Sequence, residues 1–441
     1  MLSIIGIIVG LAAFIWLAFR GYNTIFVAII SAIIVALCGG LNPFTALTDS
    51  FMTSASGFLK GYLVLFLFSG LFAKVMGDSA AAASIAVKVA RIARKAKNPL
   101  TAKFLAVASI PCIQLILTYG GVNVFVTVFI MVSLARALFK DLDIPWWLYT
   151  CSSLGSSTIT IGMLPGSPQF QNIIPTDYLG TTPMAGAGLG IFCAILALIL
   201  GMTYIFIQVK RTHKRGEGFM PTGAEISKET LVEPTVENEK PIWACLIPMI
   251  VVIVMLNFVK LTAEMSLCCG IVVGYVLFSI LEKKLMNIKS LLAGAIPMAI
   301  MPLVTVCCAS GFGGVVGAVP GFQNIVQSLM HLGVNAFTIV IICNVCSAIC
   351  GSASSGENIA FQNFGELFQA TGIPAEYLHR LVTISSIGLD DLPHSSGVIT
   401  SLSTTKLTHR QAYVNIFFLS IVNTTIVSLV AATLISLGIY F

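Results

Sequence analysis

The apolar residues of this chain come in long blocks, without the period-two alternation of a half-buried strand. Unbroken blocks cover about 2–19, 25–40 and 57–76, and another strong one covers about 185–207. A helical crossing of a bilayer core takes about 20 apolar residues. In lipid the backbone must bond within its own segment, so these blocks predict helices, and the missing alternation argues against a β-barrel. Other stretches are apolar but interrupted. Residues 103–118 and 122–138 are two short blocks parted by Tyr119-Gly120-Gly121, the pattern of a hairpin that enters and returns. Polar residues break the block at 146–166. From Asp78 to about Lys97 the chain is polar and amphipathic, with Lys88, Arg91, Arg94 and Lys95, which predicts a helix lying along the interface.

A charged stretch, 208–240, then divides the chain, and the same layout returns after it. Blocks fall at about 242–258, 266–281 and 291–309, with an amphipathic stretch near 321–332. A second split pair flanks Gly351-Ser352-Ala353-Ser354-Ser355-Gly356, a polar-broken run covers 374–396, and a last block covers 412–438. Residue matches follow the same order. Ser69-Gly70-Leu71 answers to Ser310-Gly311-Phe312, and Ile144-Pro145 to Ile373-Pro374. Leu164-Pro165 lies 20 residues after the first of these prolines and Leu392-Pro393 lies 19 after the second, each with a serine two residues on, Ser167 and Ser395. This ordered recurrence points to duplication.

Composition makes the class definite. Of 441 residues 57% are hydrophobic and only 10% are charged, with a mean hydropathy of +0.96, against roughly 25% charged in a soluble domain. The first block has no basic start and no small-residue cleavage site, so it reads as a membrane helix and not as a signal peptide. The net charge of +6 does not point to nucleic acid, because the basic residues flank apolar blocks, where they set orientation. With Lys88–Lys103, Lys210–Arg215, Lys283–Lys284 and Lys406–Arg410 placed in the cytoplasm, and each split pair counted as a hairpin, both termini fall outside and the two halves are inverted. The expected fold is therefore an all-α integral membrane protein of about ten transmembrane helices plus two re-entrant hairpins. Residues 1–207 and 241–441 are the two inverted repeats and 208–240 is a cytoplasmic linker. Most of the twelve cysteines sit in apolar blocks as small hydrophobes. Cys343, Cys346 and Cys350 have no matching ligand set elsewhere, so no metal is expected.

In inverted-repeat carriers the substrate binds where helices break. Four breaks stand out. The first holds Thr118, Gly120, Gly121 and Asn123. The second runs from Gly155 through Ser156, Ser157 and Thr158 to Gly166, Ser167, Gln169 and Asn172. The third holds Ser352, Ser354, Ser355 and Asn358, and the fourth runs from Ser385 through Asp390 and Asp391 to Ser395 and Ser396. Glycine and proline free backbone N–H groups at the positive end of a helix dipole, and small hydroxyls add donors; the combination suits an anion that must also be released. None of the four breaks contains arginine or lysine. Their ionisable residues, Asp390, Asp391, His394 and Glu357, are the candidates to carry a coupling proton or to lie against a co-transported sodium ion. Gly388-Leu389-Asp390-Asp391 faintly resembles an intramembrane aspartyl protease, but adjacent aspartates point apart, and there is no HExxH motif.

Leu164-Pro165-Gly166-Ser167-Pro168, Gly351-Ser352-Ala353 and the Asp391–Ser396 segment before Lys406-Leu407-Thr408 resemble the gluconate permease family, within the ion transporter superfamily of elevator-type carriers. The resemblance extends over nearly the whole chain at the level of layout. It implies a symporter in the bacterial inner membrane that imports gluconate or another small hydroxycarboxylate, usually with protons, and a homodimer whose scaffold is the first three spans of each half. Beyond the substrate, the bilayer and a second copy, it implies no partner and no bound cofactor. Two departures leave other readings open. The first Leu-Pro loop lacks the family's extra prolines and histidine, and Gly120-Gly121 stand where those permeases typically carry a glutamate. A di- or tricarboxylate carrier, an amino-acid carrier and a cation/proton antiporter remain as alternatives, as does sodium coupling.

Overall fold

A computed structural model describes residues 2–20, 22–122, 124–228, 239–330 and 333–441, and no strand occurs among them. The first half runs α1 (Leu2–Phe19), α2 (Thr24–Cys38), a short α3 (Pro43–Thr45) that continues through a π-helical stretch, Ala46–Phe51, into α4 (Met52–Asp78), then α5 (Ala81–Arg94), α6 (Pro99–Tyr119) and α7 (Val124–Asp141). A 3-10 segment, Trp146–Ser152, and a second π-helical stretch, Leu154–Thr160, lead to α8 (Phe170–Leu179) and α9 (Ala187–Lys214). The second half runs α10 (Ile242–Asn257), α11 (Ala263–Glu282), α12 (Ile288–Ala318), α13 (Pro320–Met330), α14 (Ala336–Cys350), α15 (Ala353–Gln369), α16 (Ala375–Ser386), α17 (Ser396–Thr405) and α18 (His409–Ile416). A third π-helical stretch, Phe417–Val422, joins α18 to α19 (Asn423–Ser436).

Short polar residues set the starts of these helices. Asn23, Asn42, Asn98 and Asn335 each accept an N–H at 2.9 Å from the residue two positions on, so the first turns of α2, α3, α6 and α14 are capped without a charge. Among the described residues, six helices are long and apolar enough to cross a membrane: Pro43–Asp78, Pro99–Tyr119, Ala187–Lys214, Ala263–Glu282, Ile288–Ala318 and His409–Ser436. Leu2–Leu17, Ile25–Cys38, Ile242–Asn257 and Ala336–Cys350 are shorter apolar helices. Large apolar side chains such as Leu2, Phe26, Phe44 and Ile280 stand on the outer surface, as expected where the surrounding solvent is lipid.

The packing of the two halves runs in parallel. Helices α4 and α12 lie along each other; α2 packs on α12 as α11 packs on α4. Helix α1 touches α2 and α13, and α10 touches α11 and α5. The antiparallel pair α6–α7 has its counterpart in α14–α15; α6 packs on the second π-helical stretch and α9, and α14 on α16 and α19.

Three expectations change in detail. The break expected over Gly351–Asn358 shrinks to Gly351 and Ser352, because Gly351 takes the left-handed conformation (φ +58°) that stops α14 and Ser352 caps α15 at once. The polar stretch Ser156–Thr158 stays wound, as the π-helical stretch, because Gly155 lets it press directly on the Pro111 carbonyl of α6. The charged linker is shorter than 208–240, since α9 reaches Lys214. Part of the remainder is packed: Phe219 donates its N–H to Asp143 Oδ1 (2.8 Å) and rests on Trp146, and Ile226 is buried.

Candidate functional site

One cavity gathers much of the predicted chemistry. It encloses about 910 Å³, open mouth included, between α7, the 3-10 and π-helical segments, the loop into α8, the α14–α15 turn, the loop after α16, and α17. Three helices begin at its wall. Gln169, Phe170 and Gln171 bring the start of α8; Ser352, Ala353 and Ser354 bring that of α15; and Ser395, Gly397 and Val398 bring that of α17. Ser395 accepts the Gly397 N–H at 3.2 Å, and Ser352 Oγ lies 3.3 Å from Ser354 Oγ. The N-terminal ends of these three helices, where free backbone N–H groups and the positive end of the dipole lie, form part of the cavity wall.

Among the described residues, Asp390 and Asp391 supply the lining's only ionisable side chains. Asp391 Oδ2 accepts the Ser420 hydroxyl at 2.6 Å, and its backbone carbonyl accepts the Tyr413 hydroxyl at 3.1 Å. The third π-helical stretch carries Ser420 to this position. Asp390 Oδ1 is buried without a donor. Apolar lining comes from Phe66, Val124, Val128, Phe170, Val306 and Val398, so the polar groups are confined to part of the wall.

Of the predicted site residues, Ser156, Ser157, Gln169, Ser352, Ser354, Ser395, Asp390 and Asp391 line this cavity. Asn123 lies outside the described residues, and so does the side chain of Ser396. The rest stand behind the wall and support it. Thr118 bonds its own helix at Gln114 O (2.7 Å), Thr158 donates to Leu419 O (3.2 Å) and Ser355 to Val306 O (3.2 Å). Asn358 accepts from Tyr178 (2.7 Å), and the Gly166 carbonyl accepts from Asn257 (3.0 Å). Gly120 is pressed against Met249 and Gly121 faces Leu267, so the first hairpin tip packs on α10 and α11. Ser167 is buried with its hydroxyl unpartnered and does not reach the cavity.

His394 and Glu357 also stand off the cavity. His394 Nε2 meets the Ala348 carbonyl at 3.0 Å and the ring meets Phe14 edge-on at 5.2 Å, so it fastens the second hairpin tip to the loop after α16. Gln169 does the same for the first tip, donating to Thr118 O (2.7 Å) and Val122 O (3.2 Å). Glu357 is fully buried on α15. Thr383 beside it gives its hydroxyl proton to His379 O (2.7 Å), leaving both carboxyl oxygens of Glu357 without a donor.

The sequence reading missed two groups. Thr150, Ser152, Ser153 and Ser401 line the cavity from positions flanking the breaks, and Gln171 from within the second, where helical winding turns them inward. Arg380 lies one to two turns before the fourth break and is fully buried, so a basic side chain does stand beside these segments. It does not face the cavity. Its Nε donates to Ala185 O (3.1 Å), Nη1 to Gly162 O (3.0 Å) and Asn172 Oδ1 (2.9 Å), and Nη2 to Pro183 O (3.2 Å) and Ala185 O (2.8 Å).

No protein-family model matches the chain. A Bacillus subtilis (strain 168) protein named uncharacterized transporter YxjC is 30% identical over 479 residues, covering 98% of this chain and 98% of that protein.

Proposed function

The chain belongs to the transporter family of that Bacillus subtilis protein, and from this premise we propose that it is a secondary active carrier importing a small organic anion together with H+ or Na+. It is a multi-pass helical membrane protein, and we assign it to the bacterial inner membrane. The observation that supports the reading best is the convergence of three helix starts on a cavity that also holds an aspartate pair. Helix N-termini bind a carboxylate through N–H groups without a fixed cation, so release stays cheap. The hydroxyls of Ser152, Ser156, Ser157, Ser352 and Ser354 suit the hydroxyl groups of gluconate or a related acid.

An anion entering a negative cell is opposed by about 2.3 kcal/mol per charge per 100 mV, so cations must accompany it. Asp391 and Asp390 are our candidates to receive them, since they alone bring negative charge to the lining. Glu357 and His394, set apart from the cavity, would act on coupling only from a distance. The parallel packing of the halves supports a duplicated, inverted architecture of about ten spans and two re-entrant hairpins. In that architecture α4 and α12 belong to a scaffold and the two hairpins move with the cavity, as in an elevator. A homodimer built on that scaffold is part of the proposal.

The test is uptake into proteoliposomes of labelled gluconate, lactate, succinate, citrate and glutamate, each with an imposed proton or sodium gradient. Gradient-driven accumulation of at least one acid is expected. Asp391→Asn should retain exchange of that acid and lose uphill accumulation. Absence of any anion flux, or normal accumulation in Asp391→Asn and Asp390→Asn alike, defeats the assignment. One observation favours a second reading, a cation/proton antiporter: the charged lining residues are both acids. Sodium-dependent proton flux in the same vesicles with no organic anion present would select it.

A further inference from the structure

Arg380 is the most deeply committed charge in the molecule that the transport proposal leaves without a role. It is fully buried, and every one of its acceptors is neutral: three backbone carbonyls, Gly162, Pro183 and Ala185, and the side chain of Asn172. These acceptors bracket the loop that leads into α8. Asn172 passes the constraint on. Because its Oδ1 accepts from Arg380, its Nδ2 must face the other way, where it donates to Ser167 O and Pro183 O, both at 2.9 Å. Between Ser167 and Asn172 lies Gln169, which lines the cavity and fastens the first hairpin tip. His379, beside it on α16, meets Thr181 Oγ1 at 2.7 Å and so fastens the loop that follows α8.

We propose that Arg380 is a positioning residue of the anion site: without touching the cavity it fixes the Ser167–Asn172 loop, so that the start of α8 faces the ligand. Its positive charge, which no carboxylate accepts from directly although the buried Glu357 of α15 stands near enough to interact with it, adds to the potential at that helix start. This inference rests on reading the cavity as an anion site. Two arguments carry it. If packing were all that mattered, an apolar side chain would fill the space at less cost, because a buried charge replaced by well-packed apolar groups is often neutral or stabilising. The planar fork is also the one side chain with five donors, and all five are in use. The short ammonium of lysine offers three and reaches fewer acceptors.

The test needs no transported substrate. In a cysteine-free background a probe cysteine replaces Gln171, on the cavity side of α8, or Ser354, on the second hairpin tip. Labelling rates are measured in proteoliposomes with an anionic and a cationic methanethiosulfonate. Arg380→Lys should change the rates at position 171 several-fold and leave position 354 unaltered, with the anion-to-cation ratio kept. Arg380→Gln should in addition lower that ratio at position 171 about tenfold, the effect expected of one nearby charge in a medium of intermediate dielectric. Asn172→Ala breaks the same clamp and keeps the charge, so it should alter the rates at position 171 and spare the ratio even if the arginine variants fail to insert. Equal changes at both positions would show a general loosening and overturn the proposal, as would unchanged rates at position 171 in all three variants. If these results hold while no organic anion is transported, the transport reading fails and the clamp stands.

Discussion

Replacing Gly155 with alanine tests how the cavity wall is built. Gly155 sits in the π-helical stretch that carries Ser156 and Ser157 to the cavity. A Cβ there would stand 2.6 Å from the Pro111 carbonyl carbon and 2.9 Å from its Cα, nearer still to the carbonyl oxygen, where real Cβ atoms essentially never come within 3.0 Å. The obstacle is backbone, so no side chain can swing aside. Helix α6 and the π-helical stretch would have to part by roughly an ångström or more, and overpacking of this kind costs about 1–3 kcal/mol. The control is Gly57→Ala on α4, where a Cβ meets nothing within 4 Å. There the loss of glycine's backbone freedom predicts a gain of about 0.5–1 kcal/mol. The same chemical change should therefore move the melting temperature of the detergent-solubilised protein in opposite directions, downward for Gly155→Ala and upward or not at all for Gly57→Ala. Equal stability of Gly155→Ala and wild type would refute the close-approach argument, and with it the account of why this polar stretch stays wound.

Ser420→Ala removes the 2.6 Å bond to Asp391 and should lower thermal stability by about 1.5–3 kcal/mol, as for hydrogen bonds to charged groups; in the Asp391→Asn background the same change should cost measurably less. Gln169→Leu deletes the bonds to Thr118 O and Val122 O; faster hydrogen exchange is expected at the first hairpin tip, with exchange at Gly351–Ser352 unchanged. If the basic flanks set the orientation, Glu225 is expected in the cytoplasm. A probe cysteine there should resist a membrane-impermeant thiol reagent in intact cells and react in inside-out vesicles, and labelling in intact cells would reverse the topology.

Much of the layout was legible because lipid demands it. The blocks became helices, and the amphipathic stretch after Asp78 became α5, because these properties depend on local composition. The two hairpin turns were legible from Gly120-Gly121 and from Gly351, residues that end helices. The site was half legible. Ser354, Ser395, Asp390 and Asp391 were found at the breaks, while Thr150 and Ser401 were hidden, because which face of a wound segment looks inward depends on the neighbouring helix. The π-helical stretches had no readable signal, for the extra residue per turn answers to packing such as that at Gly155. Arg380 was passed over because only the fold brings Gly162 and Ala185 to it.

That last separation bears on how the protein is made. Ala185 and Gly162 precede Arg380 by 195 and 218 residues, and Trp146 and Thr158 precede their partners Thr405 and Leu419 by 259 and 261. At ribosomal speeds of about 5–20 residues per second, the first half resides in the membrane for on the order of 10–50 s with these buried polar groups unmet. A nascent first half is therefore an incomplete object by construction, dependent on the insertion machinery until α16, α17 and the third π-helical stretch arrive. A chain cut within the linker should be degraded when either piece is made alone and recovered when both are synthesised in the same cell.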